Sequence, residues 1–197
     1  MKQRRMAPVF DLRNFLLRGL LAILLFSHCI ATSKVDIVTD HNELEGFRKT
    51  HTVGNLVVEQ TTATGGFVYE LFLNALRLDW RTGERLYYLV VRYNGIEGLL
   101  LRTDKPLVLT VDGARLSLPG EGAGAEDRAI FQGGDGPYVT EQARYQLTAA
   151  QLTRLASASE ASVKISGEKR SLEIRLSPRN LRAFKQFVAQ YVKARKP

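Results

Sequence analysis

Residues 67–80 read FVYELFLNALRLDW and residues 86–93 read LYYLVVRY, and the fold follows from how these two runs pair. Tyr69, Leu71, Leu73 and Ala75 share one parity, so they face one side of an extended strand, where side chains alternate with a period of two. The apolar parity then passes to Leu76, Leu78 and Trp80. A change of face within one strand marks a bulge or a bend. Val68, Leu71, Phe72, Ala75 and Leu76 also satisfy helical spacing. The strand reading is preferred because Gly65-Gly66 precedes the run and a hairpin follows it, turning at Arg81 to Glu84 around Gly83. The second arm is rich in aromatic and β-branched residues. Both its faces are apolar, which places it centrally in a sheet.

Outward from this hairpin the β signals continue on both sides. Asn55 to Gln60 reads as a strand. Asn94-Gly95 is a tight-turn signal. Leu99 to Arg102 and Leu107 to Val111 read as further strands, and Asp112-Gly113 turns the chain into Arg115 to Leu118. Residues 34–55, where Asp36, Asp40, Glu43 and Glu45 alternate with apolar positions, read as a linker plus a short helix or first strand. Pro119 to Gly136, with Gly120, Gly122, Gly124, Gly133 and Gly134, is the longest irregular segment, of the length that goes with either function or mobility. Tyr138 to Leu147 reads as a strand.

Helical signals gather near the C-terminus. Thr148 and Gln151 form a capping-box pattern that opens a helix over 148–157, with Leu152, Leu155 and Ala156 inward. Ala161 to Ser166 and Ser171 to Leu176 flank Gly167-Glu168-Lys169 as a hairpin with one buried face. Ser177 and Pro178 are N-cap and first residue of a basic amphipathic helix over 178–194. Its stripe is Leu181, Phe184, Phe187, Val188, Tyr191 and Val192. Lys193, Arg195 and Lys196 crowd the end where cations suit the helix dipole. The expected fold is therefore α+β: a mostly antiparallel sheet of about seven or eight strands, divisible into two layers, with two helices near the C-terminus.

Residues 1–33 read as a separate leader. Lys2, Arg4, Arg5, Arg13 and Arg18 precede the apolar run Gly19 to Phe26, and small or polar residues follow, which is the layout of a secretory signal. The run is short for a membrane span, which needs about 20 apolar residues. Three fates stand open: cleavage after Ala31, lipidation at Cys29, or an uncleaved anchor. The segment Phe26-Ser27-His28-Cys29 resembles a bacterial lipobox in Ser27 and in its placement, and departs from it at Phe26 and His28. Cys29, Met1 and Met6 are the only sulfur residues, so a body released near Thr32 holds no thiol or thioether. Residues 34–197 are enough for one β-rich domain. Export to a bacterial periplasm, cell surface or medium is the expectation.

The net charge of +8 is unevenly spread. Leader and C-terminal tail carry the excess, while residues 34–177 hold 17 basic against 19 acidic side chains. A near-neutral body offers no basic stripe for nucleic acid. The tail helix has two readings: its apolar stripe packs on the sheet, the preferred one for a helix that follows a β-hairpin, or the tail makes peripheral membrane contact through Arg179, Arg182, Lys185 and Lys193, with Phe184, Phe187 and Tyr191 as the apolar face.

Catalytic signatures are missing. There is no G-x-S-x-G elbow and no body cysteine, and His41 and His51 are the body's imidazoles. Neither H-E-x-x-H nor Cys/His ligand spacing occurs, and the 36–45 acids lack a calcium-loop pattern, so no metal is assigned. No phosphate cradle with its lysine occurs, and no cofactor is assigned. Glu70, Glu97 and Glu141 border strands without any sign of convergence. Tyr69, Trp80, Tyr87, Tyr88, Tyr93, Tyr138 and Tyr145 read as sheet and core aromatics before ligand platforms. The reading is a non-catalytic binding or interaction module for a protein or envelope ligand, with Arg128, Asp135, Tyr138 and Glu141 as candidate binding residues. The alternative is an exported hydrolase with its site at strand ends and the 119–136 loop, where Glu141, Asp135 and Arg128 come first.

Overall fold

In the computed structural model, residues 35–121, 128–133 and 136–193 are described, and all of them belong to one compact unit, Lys34–Pro197. The leader with Cys29, and Asp135, lie outside the described residues. The fold is mostly antiparallel β with two helices near the C-terminal end, as the sequence pattern indicates. The strands are β1 (Asp36–Asn42), β2 (Phe47–Val53), β3 (Leu56–Thr61), β4 (Phe67–Trp80), β5 (Arg85–Gly95), β6 (Leu107–Val111), β7 (Ala114–Leu118), β8 (Gly120–Glu121), β9 (Arg128–Gly133), β10 (Gly136–Leu147), β11 (Ala161–Ser166) and β12 (Ser171–Arg175). The helices are α1 (Ala149–Ala156) and α2 (Pro178–Tyr191). No helix among the described residues is long and apolar enough to cross a membrane.

Eight strands form one curled sheet in the order β1-β2-β4-β5-β10-β8. β4 is long enough to hold two partners along its outer edge: β3 pairs with its first half and β2 with its second. β10 does the same with β9 and β8. Four more strands form a second sheet, β12-β11-β6-β7. Its β6–β7 hairpin turns on Asp112 (φ 47°) and Gly113 (φ 79°), both in the left-handed region that a two-residue type I′ turn requires.

Strand parity decides the layering. The odd positions Leu71, Leu73 and Ala75 of β4, Leu89, Val91 and Tyr93 of β5, and Ala143 and Tyr145 of β10 are buried. They share one core with Leu109, Val163 and Ile165 of the second sheet and with Leu152, Leu155, Phe184 and Phe187 of the helices. Both helices carry full capping boxes, Thr148 with Gln151 and Ser177 with Asn180.

Of the two readings of residues 34–55 the strand holds: residues 36–53 are a β-hairpin, β1–β2, because alternating polar and apolar residues suit a pair at the sheet edge lying half in solvent. Three other local expectations are corrected. Asn94-Gly95 is not a turn. Both residues lie inside β5, with Gly95 opposite Tyr69 and Val139, and the glycine is required because a side chain there would overlap the Tyr93 ring. Leu99 to Arg102 is not a strand. Leu100 sits at φ 56°, and only an isolated bridge joins Leu101 to Gly167. The 119–136 segment is not wholly irregular, since it contributes β8 and β9 to the sheet.

Candidate functional site

The face of the curled sheet that turns away from the core, made by even positions of β4, β5 and β10 and odd positions of β2, walls a cleft of about 800 Å³. Its floor can be followed row by row in the strand register. Phe47 faces Trp80, Lys49 faces Leu78, and His51 faces Leu76 across β2 and β4. Leu78 faces Leu86, Leu76 faces Tyr88, Asn74 faces Val90, and Phe72 faces Arg92 across β4 and β5. Val90 faces Arg144 and Arg92 faces Gln142 across β5 and β10. Leu76, Leu78 and Tyr88 form a buried apolar cluster of their own, flanked by Phe47, Leu86 and Val90 and separate from the main core. The second apolar parity of residues 76–80 is the floor of this cleft. β5 lies centrally in the sheet, as its two apolar faces indicate; one of them faces the core and the other forms cleft floor.

Polar groups of the cleft are individually positioned. Asn74 Oδ1 accepts hydrogen bonds from Thr52 Oγ1 (3.2 Å) and the Asn55 amide (3.3 Å), which leaves its Nδ2 as a donor. The anchor runs deeper: Asn55 Nδ2 donates to Leu73 O (2.8 Å), and Asn180 Nδ2 of α2 donates to Asn55 Oδ1 (2.9 Å) and Leu56 O (2.7 Å). A buried amide relay thus fixes the cleft's Asn74 to the last helix. The Arg92 guanidinium lies over the Phe72 ring at 5.6 Å, and its Nε donates to Asn94 Oδ1 (3.3 Å). The Tyr88 hydroxyl donates to Glu121 Oε1 (3.0 Å); burial, then this bond, pushes its pKa up to about 12. Burial and the Lys49 charge lower the His51 pKa against an opposing pull from Asp40, so the imidazole is neutral at pH 7. Phe47 meets the Trp80 ring edge-on at 5.2 Å.

Three buried polar atoms of cleft-lining side chains lack a hydrogen-bond partner: His51 Nδ1, Trp80 Nε1 and Arg144 Nε. Such atoms are rare in folded proteins and call for an explanation at each site. Among the described residues, Lys49, Arg92 and Arg144 have no carboxylate within 4.0 Å, whereas Arg48, Arg77 and Arg85 all meet Asp79.

The residues singled out from sequence are placed elsewhere. Arg128 and Glu141 come together as cross-strand partners, with Nε and Oε1 3.6 Å apart. Glu141 is buried, and its Oε2 accepts the Leu101 amide (3.0 Å) while Gly98 packs against both side chains. The pair thereby pins the 96–101 connection over the sheet. Tyr138 stacks on exposed Phe131 at 5.3 Å on the same β9–β10 hairpin. Of the tail residues, Arg182, Lys185 and Lys193 are exposed and Arg179 is half-buried. Phe184 and Phe187 are wholly buried in the core, so the apolar stripe packs within the domain, the first of the two readings of this helix. Among the described residues no group of three or more His, Cys, Asp or Glu is placed to hold a metal ion.

No family model and no curated protein matches the chain. Among solved structures, the chain is similar to the crystal structure of invasion-associated protein B from Bartonella henselae, at 13% identity over 79% of this chain and 88% of that one, with a TM-score of 0.32. No residue of that protein is carried over to this chain.

Proposed function

We infer that the chain is an exported, non-catalytic binding module whose ligand lies in the cleft on the face of the curled sheet that turns away from the core. The carrying observation is the second apolar cluster, Leu76, Leu78 and Tyr88, which lies apart from the core and floors a cleft of about 800 Å³. Clefts of roughly 300–1,000 Å³ that are mostly apolar and carry a few placed polar groups are the usual form of small-molecule sites. The leader supports delivery outside the cytoplasm, and exposed Arg182, Lys185 and Lys193 support contact with an anionic envelope surface by charge alone. The alternative, an exported hydrolase with its site at strand ends and the 119–136 loop, would rest on Glu141, whose Oε2 accepts the Leu101 amide while its buried Oε1, 3.6 Å from Arg128 Nε, has no hydrogen-bond partner.

Trp80 is the sole tryptophan and lines the cleft, so it reports occupancy directly. A neutral naphthylamine dye is expected to bind the purified protein and to accept energy from Trp80. Val90→Glu, which puts a charge on a half-buried floor position, is expected to weaken binding about tenfold or more while the thermal transition persists. Equal dye binding by the variant, or none by the wild type, would overturn the assignment.

A further inference from the structure

The cleft floor runs from the Phe47–Trp80 row to the Phe72–Arg92 row, a track of about 26 Å at roughly 3.3 Å per residue along β4. Leu78, Leu86, Leu76 and Val90 make its middle apolar, with Lys49 and His51 on its β2 side. Among the described residues, two of its cations without a carboxylate partner, Arg92 and Arg144, lie together toward one end, and Lys49 lies toward the other. Arg92 faces Gln142, Arg144 faces Val90, and Val90 in turn faces Asn74, whose Nδ2 is the unspent donor. Arg92 and Arg144 are thus diagonal neighbours on paired strands, about 7–8 Å apart at the backbone, within reach of one anionic head. Glu121 lies opposite Arg144 in the register, but its Oε1 takes the Tyr88 hydroxyl and it makes no ion pair among the described residues. Glu45 is the other acid of the cleft lining.

The shape of the site also selects against a peptide. An extended peptide binds a sheet through a free backbone edge. The flooring strands β2, β4 and β5 are each paired on both sides, so the floor presents side chains only. A flexible apolar chain needs no backbone partners and lies along such a track.

We propose that the cleft takes a single-chain amphiphile with an anionic head, the acyl chain lying on Leu76, Leu78, Leu86 and Val90 and the head held by Arg92 and Arg144. This rests on the cleft being the binding surface and names the class of ligand that fills it. The test titrates purified protein with oleate, oleyl alcohol and lysophosphatidate, each below its micelle concentration, reading Trp80 emission. The anionic lipids are expected to bind about tenfold or more tighter than oleyl alcohol, which corresponds to one charge-assisted contact. The double variant Arg92→Gln/Arg144→Gln is expected to lose that preference and to keep its binding of oleyl alcohol. Arg92 is exposed, so Arg92→Gln alone serves if the double variant fails to fold. Tighter binding of oleate than of lysophosphatidate assigns a carboxylate head, and the reverse order a phosphate head. Equal binding of oleate and oleyl alcohol, or a preference that survives both substitutions, overturns the anionic head and leaves the cleft assignment standing. No Trp80 response to any of the three lipids overturns both.

Discussion

Replacing Asn180 with Ala tests the relay that ties the cleft to the last helix. Asn180 is 2% exposed and uses every hydrogen-bonding group it has. Its Nδ2 donates to Asn55 Oδ1 and Leu56 O, while its Oδ1 accepts from the Ser177 amide (3.0 Å) and hydroxyl (2.6 Å). Truncation leaves two acceptors in the interior without a donor, at about 1–2 kcal/mol each. It also removes the reciprocal half of the α2 capping box, worth about 0.5–1 kcal/mol. The expected loss is about 4 kcal/mol, a large share of the roughly 5–15 kcal/mol that holds a domain folded. With an m-value of about 2 kcal/mol/M, the urea midpoint should fall by about 2 M. Asn180→Asp keeps an oxygen toward Ser177 but sets a second acceptor against Asn55 Oδ1 and Leu56 O, so its loss should be at least as large. Midpoints within about 0.5 M of wild type for both variants would refute the relay as a source of stability.

Two further outcomes follow from charge. Arg77 is 9% exposed at its side chain, bonds Asp79, and donates from Nη1 to Tyr191 O at the end of α2. Asp79→Asn leaves that guanidinium without its counter-charge and should cost about 3 kcal/mol in urea unfolding at pH 7. Burial opposes ionisation of Asp79, but bonds from Arg77 and Arg85, with Arg48 behind them, outweigh it and hold the carboxyl below 3.8. Its stabilisation is complete above that value and is lost as pH falls through the depressed one, so the wild type should show an acid-limb loss that Asp79→Asn lacks. His51 is lowered from 6.5, chiefly by burial. The unfolded chain therefore takes up this proton first, and stability should decline as pH falls from 6.5 toward the folded value. His51→Gln should flatten that part of the stability–pH curve, which thermal melts between pH 5 and 8 would read.

Periodicity carried much of this fold, and its failures have local causes. The β4–β5 hairpin, the Asp112-Gly113 turn and both helix starts each rest on near-neighbour chemistry, which is why they were legible. Ser177's partner Asn180 is a less usual third member of a capping box, and nothing in the sequence shows that its amide also reaches Asn55, 125 positions away. Asn94-Gly95 reads as a turn because the Asn-Gly pair is favoured in tight hairpins. The need for Gly95 is steric and arises from the Tyr93 side chain two positions earlier. Nothing in the sequence spacing shows that the candidate residues Arg128 and Glu141 face each other across β9 and β10, because that pairing depends on the register of the hairpin. The cleft was hidden because a floor and a core surface share one composition. Parity puts Leu76 on the opposite face of β4 from Leu73, but which face is the core and which floors a cleft depends on the pairing of distant strands.

The most direct test of the cleft uses strand parity itself. Methyl shifts of the protein, recorded with and without saturating oleate, compare neighbours on the same strands. Leu76, Leu78, Leu86 and Val90 should move, while Leu71, Leu73, Leu89 and Val91 on the opposite face should not. Shifts spread equally over both sets, or concentrated on Ile130 and the β9–β10 hairpin, would contradict the account.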